Sequence, residues 1–332
     1  MAGEGAGGMP AVLVVGAGFM GATHARAWRA LGARVVCVAD PDAERRAAVA
    51  ALAEAHGCAD AGRALAAHGD VAVVDVCVPT PAHLAVLEGL PPGLLVVMEK
   101  PLGRDGAEAA AVARTAHERG VDLFAAQVVR YFPAYRGLRD TVLARGAEGV
   151  RRLRMRRVGP PPVGAGGWFL DEARSGGIFI DLMVHDLDWL LWTFGPPARL
   201  TARAWADASG AARHALALLS WPGRRVAHVE GSWLHPGPFT TGAELDAVWG
   251  SAALGGDAAA VVETTTDGSR RSTPRLLDPY ALELRAAWLA HQAGAPPPVS
   301  AEDGVRAVRL AEMCRESARL GRALAVDAGV LS

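Results

Sequence analysis

The sequence predicts an α/β protein whose first half is a doubly wound parallel sheet, and three observations carry that reading. Short apolar runs alternate with helical patterns from residue 11 to about residue 128, the order that builds βαβ units. The first run passes directly into a glycine pattern and then a helix, the strand-turn-helix order of a phosphate cradle. A length of 332 residues, 51% of them hydrophobic and 21% charged, suits about two globular domains with substantial cores.

The elements follow in order. Residues 11 to 21 read AVLVVGAGFMG, a short apolar strand leading into Gly16-x-Gly18-x-x-Gly21, with Phe19 and Met20 inside the pattern. ATHARAWRALG then reads as a helix stopped by Gly32. The glycines permit a tight turn and let a pyrophosphate approach the helix N-terminus, whose free N–H groups and dipole favour anions. ARVVCVAD is the second strand, and Asp40 ends it 19 residues past Gly21, where an acid accepts hydrogen bonds from an adenosine ribose. Dinucleotide binding by Gly16, Gly18, Phe19, Met20, Gly21 and Asp40 is therefore expected. Asp40 and Asp42 would repel a 2'-phosphate, which favours NAD over NADP. Arg45 and Arg46, in the helix that follows, are expected to face solvent; a bent loop would bring one of them to a phosphate, so NADP stays possible.

The alternation continues with PDAERRAAVAALAEAHG as helix, VAVVDVCV as a fully apolar strand and PAHLAVLEGL as helix. LLVVME is the next strand, GAEAAAVARTAHERG a helix and VDLFAAQV the last strand of the sheet. Ligands of such sheets lie beyond the carboxyl ends of the strands. Two features fall there: VPTPAH, with Pro79, Thr80 and His83, and MEKP, with Glu99 and Lys100. Lys100 is the only lysine of the chain; the other 33 basic residues are arginines. The chain also has no asparagine and only two isoleucines, Ile178 and Ile180, a bias of the kind a GC-rich genome imposes. That bias explains the missing lysines and leaves the retained one to be explained. An ammonium is compact and loses its proton readily on burial, whereas a guanidinium is wide and always charged. Lys100 is expected where a nicotinamide would sit.

In the second half, GGIFIDLMVHDLDWLLWTFGPP reads as one helix ended by Gly195 and Pro196. Val184, Leu187, Leu191 and Phe194 make an apolar stripe, while Asp181, His185, Asp188 and Trp192 share another face. An acid and a histidine four residues apart can reach one ligand. Oxidising an alcohol removes a hydride from carbon and a proton from oxygen, and His185, of ordinary pKa near ~6.5, suits the second task. Asp181 could orient a ring or bind a neighbouring hydroxyl. Lys100 would stabilise the developing oxyanion or relay the proton itself. Trp168, in the glycine-rich VGAGGWFLDEARSGG, is a candidate to stack on nicotinamide or a sugar face, and Tyr280 in DPYALEL is a second one. Arg130 and Arg174 could bind a substrate carboxylate or phosphate, or each could pair with a local acid.

Other classes are disfavoured. The 34 basic and 35 acidic residues nearly cancel, so no global field recruits nucleic acid or a membrane. In RRLRMRR, Leu153 and Met155 share one strand face and Arg152, Arg154 and Arg156 the other, the pattern of a solvated or interface-facing sheet row. Cys37, Cys58, Cys77 and Cys314 show no metal or redox spacing, His235 and the other histidines show none either, and no metal site is expected. With no signal-like N-terminus and no long apolar run, a cytoplasmic location is expected.

The motifs GAGFMGATHARAW, VPTPAH, MEKPL and SGGIFIDLMVHDLDWLLWTFG together resemble the glucose-fructose oxidoreductase, inositol dehydrogenase and rhizopine-catabolism family, written Gfo/Idh/MocA. The likeness runs over nearly the whole chain, through DPYALELRAAWLAHQAG and SAEDGVRAVRLAEMCRESARLG. It implies a Rossmann domain over residues 1–128. Over residues 129–332 it implies an α/β domain built on an open-faced, mostly antiparallel sheet. It implies hydride transfer between NAD(P) and a secondary alcohol or ketone of a sugar, cyclitol or related small molecule. The family's catalytic lysine, aspartate and histidine fall on Lys100, Asp181 and His185, with Glu99 and Pro101 completing the E-K-P turn. Met183 departs from the Gly of many members and bears on substrate shape. Self-association as a homodimer or homotetramer through the open sheet face is also implied. Two other readings remain open: a redox-assisted lyase or glycosidase with tightly bound NAD, and a non-catalytic NAD sensor. The sensor predicts loss of Lys100, Asp181 or His185, and all three are present.

Overall fold

The computed structural model describes residues 8–255, 260–275 and 277–331, which form two sheets and their covering helices. The first sheet is parallel and has six strands: β1 (Ala11–Val15), β2 (Arg34–Ala39), β3 (His56–Cys58), β4 (Val73–Val76), β5 (Leu95–Glu99) and β6 (Asp122–Ala126). Their spatial order is β3-β2-β1-β4-β5-β6. Helices α1 (Phe19–Ala30), α2 (Ala43–Ala53), α3 (Ala61–Ala67), α4 (His83–Glu88) and α5 (Gly106–Arg119) link the strands. Val12, Leu13, Val14, Val73, Val74, Val96 and Val97 are fully buried, as near-continuous apolar strands covered on both faces require. The order reverses between β1 and β4, so the crevice at their carboxyl ends is the binding position of this architecture.

One strand escapes the sequence pattern. The helix expected through Gly57 stops at Ala53, where Glu54 takes the left-handed conformation (φ 52°) and Ala55 N–H returns to the Ala50 carbonyl. His56–Cys58 then pairs with β2 at the sheet edge. Three residues of mixed polarity carry no period, so only the backbone ladder of β2 recruits them.

The second sheet has nine strands: β7 (Val150–Val158), β8 (Arg199–Ala206), β9 (Ala212–Ser220), β10 (Val226–Ser232), β11 (Thr240–Ala247), β12 (Gly250–Leu254), β13 (Val261–Thr265), β14 (Gly268–Ser272) and β15 (Leu324–Ala325). Their order is β14-β13-β12-β11-β7-β10-β9-β8-β15; β7 and β10 run parallel and the other pairs antiparallel. The remaining helices are α6 (Pro133–Arg145), α7 (Glu172–Ser175), α8 (Gly177–Asp181), α9 (Val184–Phe194), α10 (Pro279–Gln292) and α11 (Ala301–Leu320). On β7, Leu153 and Met155 face the core, and the outward arginines meet acids of adjacent strands: Arg152 pairs with Asp246 and Glu244, and Arg154 with Glu230. Arg152 and Arg154 are thus each matched by a facing acid across the sheet.

The chain divides into two compact units. The first runs through Leu102 and adds Ala110–Ala126 and Asp278–Ala301; the second holds Gly103–Ala109, Gln127–Leu277 and the chain from Glu302 onward. The chain thus changes unit first after Leu102, again after Ala109 and after Ala126, and Asp278–Ala301 groups with the first sheet. Its helix, α10, starts at the Asp278 cap and packs against α1, β5 and β6, burying Glu283, Leu284, Ala287 and Trp288. The Ala125 N–H donates to the Val299 carbonyl and anchors the segment's far end. An amphipathic helix near the end of a chain carries no sign of which sheet it will cover.

In the second unit, Met183 is fully buried, and a Cβ on Gly231 of β10 would lie 2.6 Å from its Cγ. Its bulk is thus directed at the sheet, accommodated by a glycine on the facing strand. Gly231→Ala should overpack this contact and cost about 1–3 kcal/mol. Unfolding midpoints of Gly231→Ala, Met183→Ala and the double variant check it: the double loss should be smaller than the sum, and strict additivity would contradict the contact.

Candidate active site

The nucleotide cradle of the first unit is built by backbone crowding. Gly16 has φ +103°, and a Cβ there would lie 2.6 Å from the Cys77 carbonyl oxygen; one on Gly21 would lie 1.9 Å from the Gly16 oxygen. Only glycine allows β1, the turn and the end of β4 to pack so closely. Nothing lies within 4 Å of a Cβ position on Gly18, which leaves that backbone open to a ligand. α1 begins just after, with no side-chain cap and no acid in its first turn, so its dipole and N–H groups are available to an anion. Phe19 is 82% exposed beside this turn, and Met20 is partly exposed. These residues fit a dinucleotide pyrophosphate.

Asp40 ends β2 with its carboxylate oriented by three donors: Ala17 N–H and Asp42 N–H at 2.8 Å, and Arg45 Nη2 at 3.2 Å. Asp42 is the N-cap of α2 and accepts the Arg45 N–H. Arg45 also pairs with Asp42, and Arg46 donates to the Asp40 carbonyl at 2.6 Å. Both arginines turn back toward the strand end from the Asp42-capped helix start, Arg45 while staying exposed as expected and Arg46 half-buried.

The VPTPAH segment forms a short 3-10 turn over Thr80–Ala82 after Pro79. Thr80 and His83 are buried, and His83 Nε2 donates to the Val78 carbonyl at 3.2 Å, holding the turn. Glu99 closes β5, nearly buried, and its Oε2 accepts the backbone N–H of Lys100 at 3.0 Å; the Lys100-Pro101 bond is cis. The Tyr280 ring is turned toward His24, with centroids 5.8 Å apart. Burial, with Glu99 and Glu283 nearby, pushes its hydroxyl up to about 12.

In the second unit the expected single helix is broken. α8 ends at Asp181, Leu182 and Met183 make a turn whose N–H groups both return to the Ile178 carbonyl, and α9 starts at Val184. Asp181 and His185 thus flank a helix junction rather than lie one turn apart on a continuous helix. Asp181 is nearly buried, and His185 is the one residue between 181 and 190 that is not. The predicted polar face does not persist past it. Asp188 is buried and bound by Arg130 through two parallel bonds of 2.8 and 2.6 Å, while Arg130 Nη1 reaches Asp303 at 3.1 Å. Burial raises the Asp188 carboxyl against the pull of Arg130. Of the two readings of Arg130, pairing with local acids is the one these contacts display, a buried guanidinium engaged by two carboxylates. Trp192 lies under Arg139, 3.9 Å from its ring centroid. Trp168 stacks on Phe169 at 4.1 Å, and Arg174 is exposed on α7.

Sequence reasoning missed a buried group in the first unit. His24 Nδ1 lies 3.0 Å from both oxygens of Asp75, and Trp28 Nε1 donates to Asp75 at 2.7 Å. Asp75 stands in the strand taken as wholly apolar, and an acid there was the available signal, since buried carboxylates require partners.

Comparison with known proteins agrees with this construction. Residues 11–127 match the model of the oxidoreductase family with an NAD-binding Rossmann fold, and residues 144–252 match the GFO/IDH/MocA C-terminal domain. The chain is 34% identical over 189 residues to a myo-inositol dehydrogenase of Streptomyces leeuwenhoekii, covering 55% of each chain. It is 31% identical over 221 residues to a UDP-N-acetylglucosamine 3-dehydrogenase of Acidithiobacillus ferrooxidans, covering 66% of each. The matches thus span about half to two thirds of these curated relatives. In fold it is similar to a levoglucosan dehydrogenase solved with NADH, with a TM-score of 0.83 at 19% identity over 96% of this chain and 100% of that one. No helix among the described residues is long and apolar enough to cross a membrane. With both halves matched by models of one family and the glycine cradle and E-K-P turn in place, the chain belongs to the Gfo/Idh/MocA oxidoreductase family.

Proposed function

We propose that this protein is an NAD-dependent oxidoreductase acting on a secondary alcohol or ketone of a sugar, cyclitol or related small molecule. The observation that carries the reading is His185, the one residue of an otherwise buried stretch left partly exposed, in a chain whose other unit carries the glycine cradle and Lys100. NAD would be held by the α1 N-terminus and Asp40, and when bound supplies the hydride acceptor or donor. His185 takes the hydroxyl proton, Asp181 orients the substrate, and Lys100 donates a hydrogen bond to the reacting oxygen, a compact charge placed where negative charge develops. Trp168 offers a ring face to the substrate. The reading requires the two units to present Lys100, Asp181 and His185 to one molecule. The relatives named for inositol and UDP-N-acetylglucosamine support a polyhydroxylated substrate. The four cysteines are free thiols, in keeping with a cytoplasmic enzyme.

We also propose that the protein self-associates through the outer face of the second sheet, where Leu216 and Leu218 of β9 and Trp205 of β8 are exposed in neighbouring rows. Light scattering should give a dimer or tetramer that Leu216→Arg weakens; a monomer at micromolar concentration would reject this.

A screen of cyclitols, sugars and nucleotide sugars, read by NADH absorbance, tests the reaction. On the substrate it identifies, His185→Ala should lose about 10²- to 10⁴-fold in turnover with NAD affinity nearly unchanged. Lys100→Arg should fold and bind NAD but lose at least about 10²-fold, because the guanidinium is wider and does not give up its proton. Near-normal single-turnover rates in either variant would remove that residue from the chemistry. Asp40 sets the cofactor: calorimetry should show NAD binding more tightly than NADP, with Asp40→Ala narrowing the gap, and the reverse preference in the unmodified protein would overturn the assignment.

A further inference from the structure

Beneath the Glu99-Lys100 turn lies a set of ionisable side chains that the reaction itself does not use. His24 of α1 is fully buried, with Nδ1 3.0 Å from Asp75 and Nε2 3.2 Å from Glu99 Oε1 and 3.9 Å from Glu283 Oε1. The groups facing it come from every element packed around it: Trp28 from α1, Asp75 and Cys77 from β4 and its following turn, Glu99 from β5, and Tyr280 and Glu283 from α10, with Asp278 further off. Nδ1 is hydrogen-bonded to Asp75, while Nε2 makes no hydrogen bond and meets Glu99 at ion-pair distance, so both ring nitrogens face carboxylates, an arrangement that suits an imidazolium. Burial by itself disfavours that charge, yet Asp75, with Cys77 beside it, holds the His24 pKa well above the ordinary histidine range. Burial also pushes Glu283 well up against the pull of His24, with Glu99 adding to it. Burial and Asp75 push the Cys77 thiol up, and its S–H donates to Asp75 at 3.4 Å. The set joins Asp75 by hydrogen bonds and Glu99 by an ion pair through one imidazole ring, and Glu99 Oε2 in turn accepts the Lys100 backbone N–H.

We propose that His24 is a positioning residue for Lys100: bridging Asp75 and Glu99, it holds the Glu99 carboxylate under the turn and so fixes the backbone that carries the lysine. The inference rests on Lys100 acting as the catalytic donor, but its first test needs no turnover. Protein labelled with ¹³C,¹⁵N-lysine gives signals from Lys100 alone, since the chain has no other lysine. His24→Gln and Glu99→Gln should each shift the Lys100 amide and side-chain signals, and His24→Gln should add little in the Glu99→Gln background because it acts through that carboxylate. Val49→Ala, a buried change on α2, should leave the signals in place. A folded His24→Gln protein with unmoved Lys100 signals would overturn the proposal. So would ring ¹⁵N shifts in the unmodified protein showing a neutral His24 at pH 7.5, a measurement that stands even if the variant does not fold. On an identified substrate, His24→Gln should lose about ten- to hundredfold in kcat, with KM and NADH affinity within about threefold. An equal loss in Val49→Ala would mark the effect as general destabilisation and count against positioning. If no polyol is turned over, the proposed reaction fails while the lysine signals still decide whether His24 positions the turn.

Discussion

The first unit depends on the contact of backbone with backbone where Gly16 meets the Cys77 carbonyl and Gly21 meets Gly16. A methyl group at either position would separate β1 from β4 or lift α1 off the sheet. Because no methyl is there, α1 descends at the point where the strand order reverses, and two consequences follow from one geometry. Its uncapped N-terminus opens at the carboxyl ends of the strands, where an anion is stabilised by aligned N–H groups. Its next turns lower His24 and Trp28 onto Asp75, inside the sheet's own layer. The cofactor cradle and the buried charge cluster are thus the outer and inner ends of the same helix placement.

Buried charge organises the second unit as well. Arg130 is engaged by Asp188 and Asp303, and Arg157 by Asp186 at 2.8 Å, so the polar residues of α9 are drawn into the interior one after another. Charges this deep hold the fold only when paired, and losing one partner leaves the other stranded in a poor solvent. Of the four polar residues along 181–192 that pattern alone groups together, Asp188 is paired with Arg130, Trp192 lies under Arg139, and Asp181 and the partly exposed His185 flank the helix junction.

The single lysine joins composition to mechanism. A genome that has replaced lysine by arginine elsewhere keeps it at the end of β5, on a turn whose backbone is tied to Glu99. The guanidinium is adequate for the surface rows of β7, where Arg152 and Arg154 simply meet facing acids. In the role proposed for Lys100, width and proton affinity matter, and there the two cations are not interchangeable.

Much of this was legible in the residues themselves. The glycine spacing, the acid at the end of the second strand, the apolar runs of β1, β2, β4, β5 and β6, and the lone lysine are local signals, because a tight turn and a strand buried on both faces each restrict residue type at fixed positions. Tertiary structure decided the rest. His56–Cys58 became a strand only because β2 offered an open ladder, and Asp278–Ala301 joined the first unit only because α1, β5 and β6 left an apolar face for α10. Arg130 and Asp188 found each other across 58 positions, as His24 found Asp75 across 51. Pairing of buried charges is a long-range event whose energy depends on desolvation, and desolvation is a property of the assembled interior, not of any stretch of sequence.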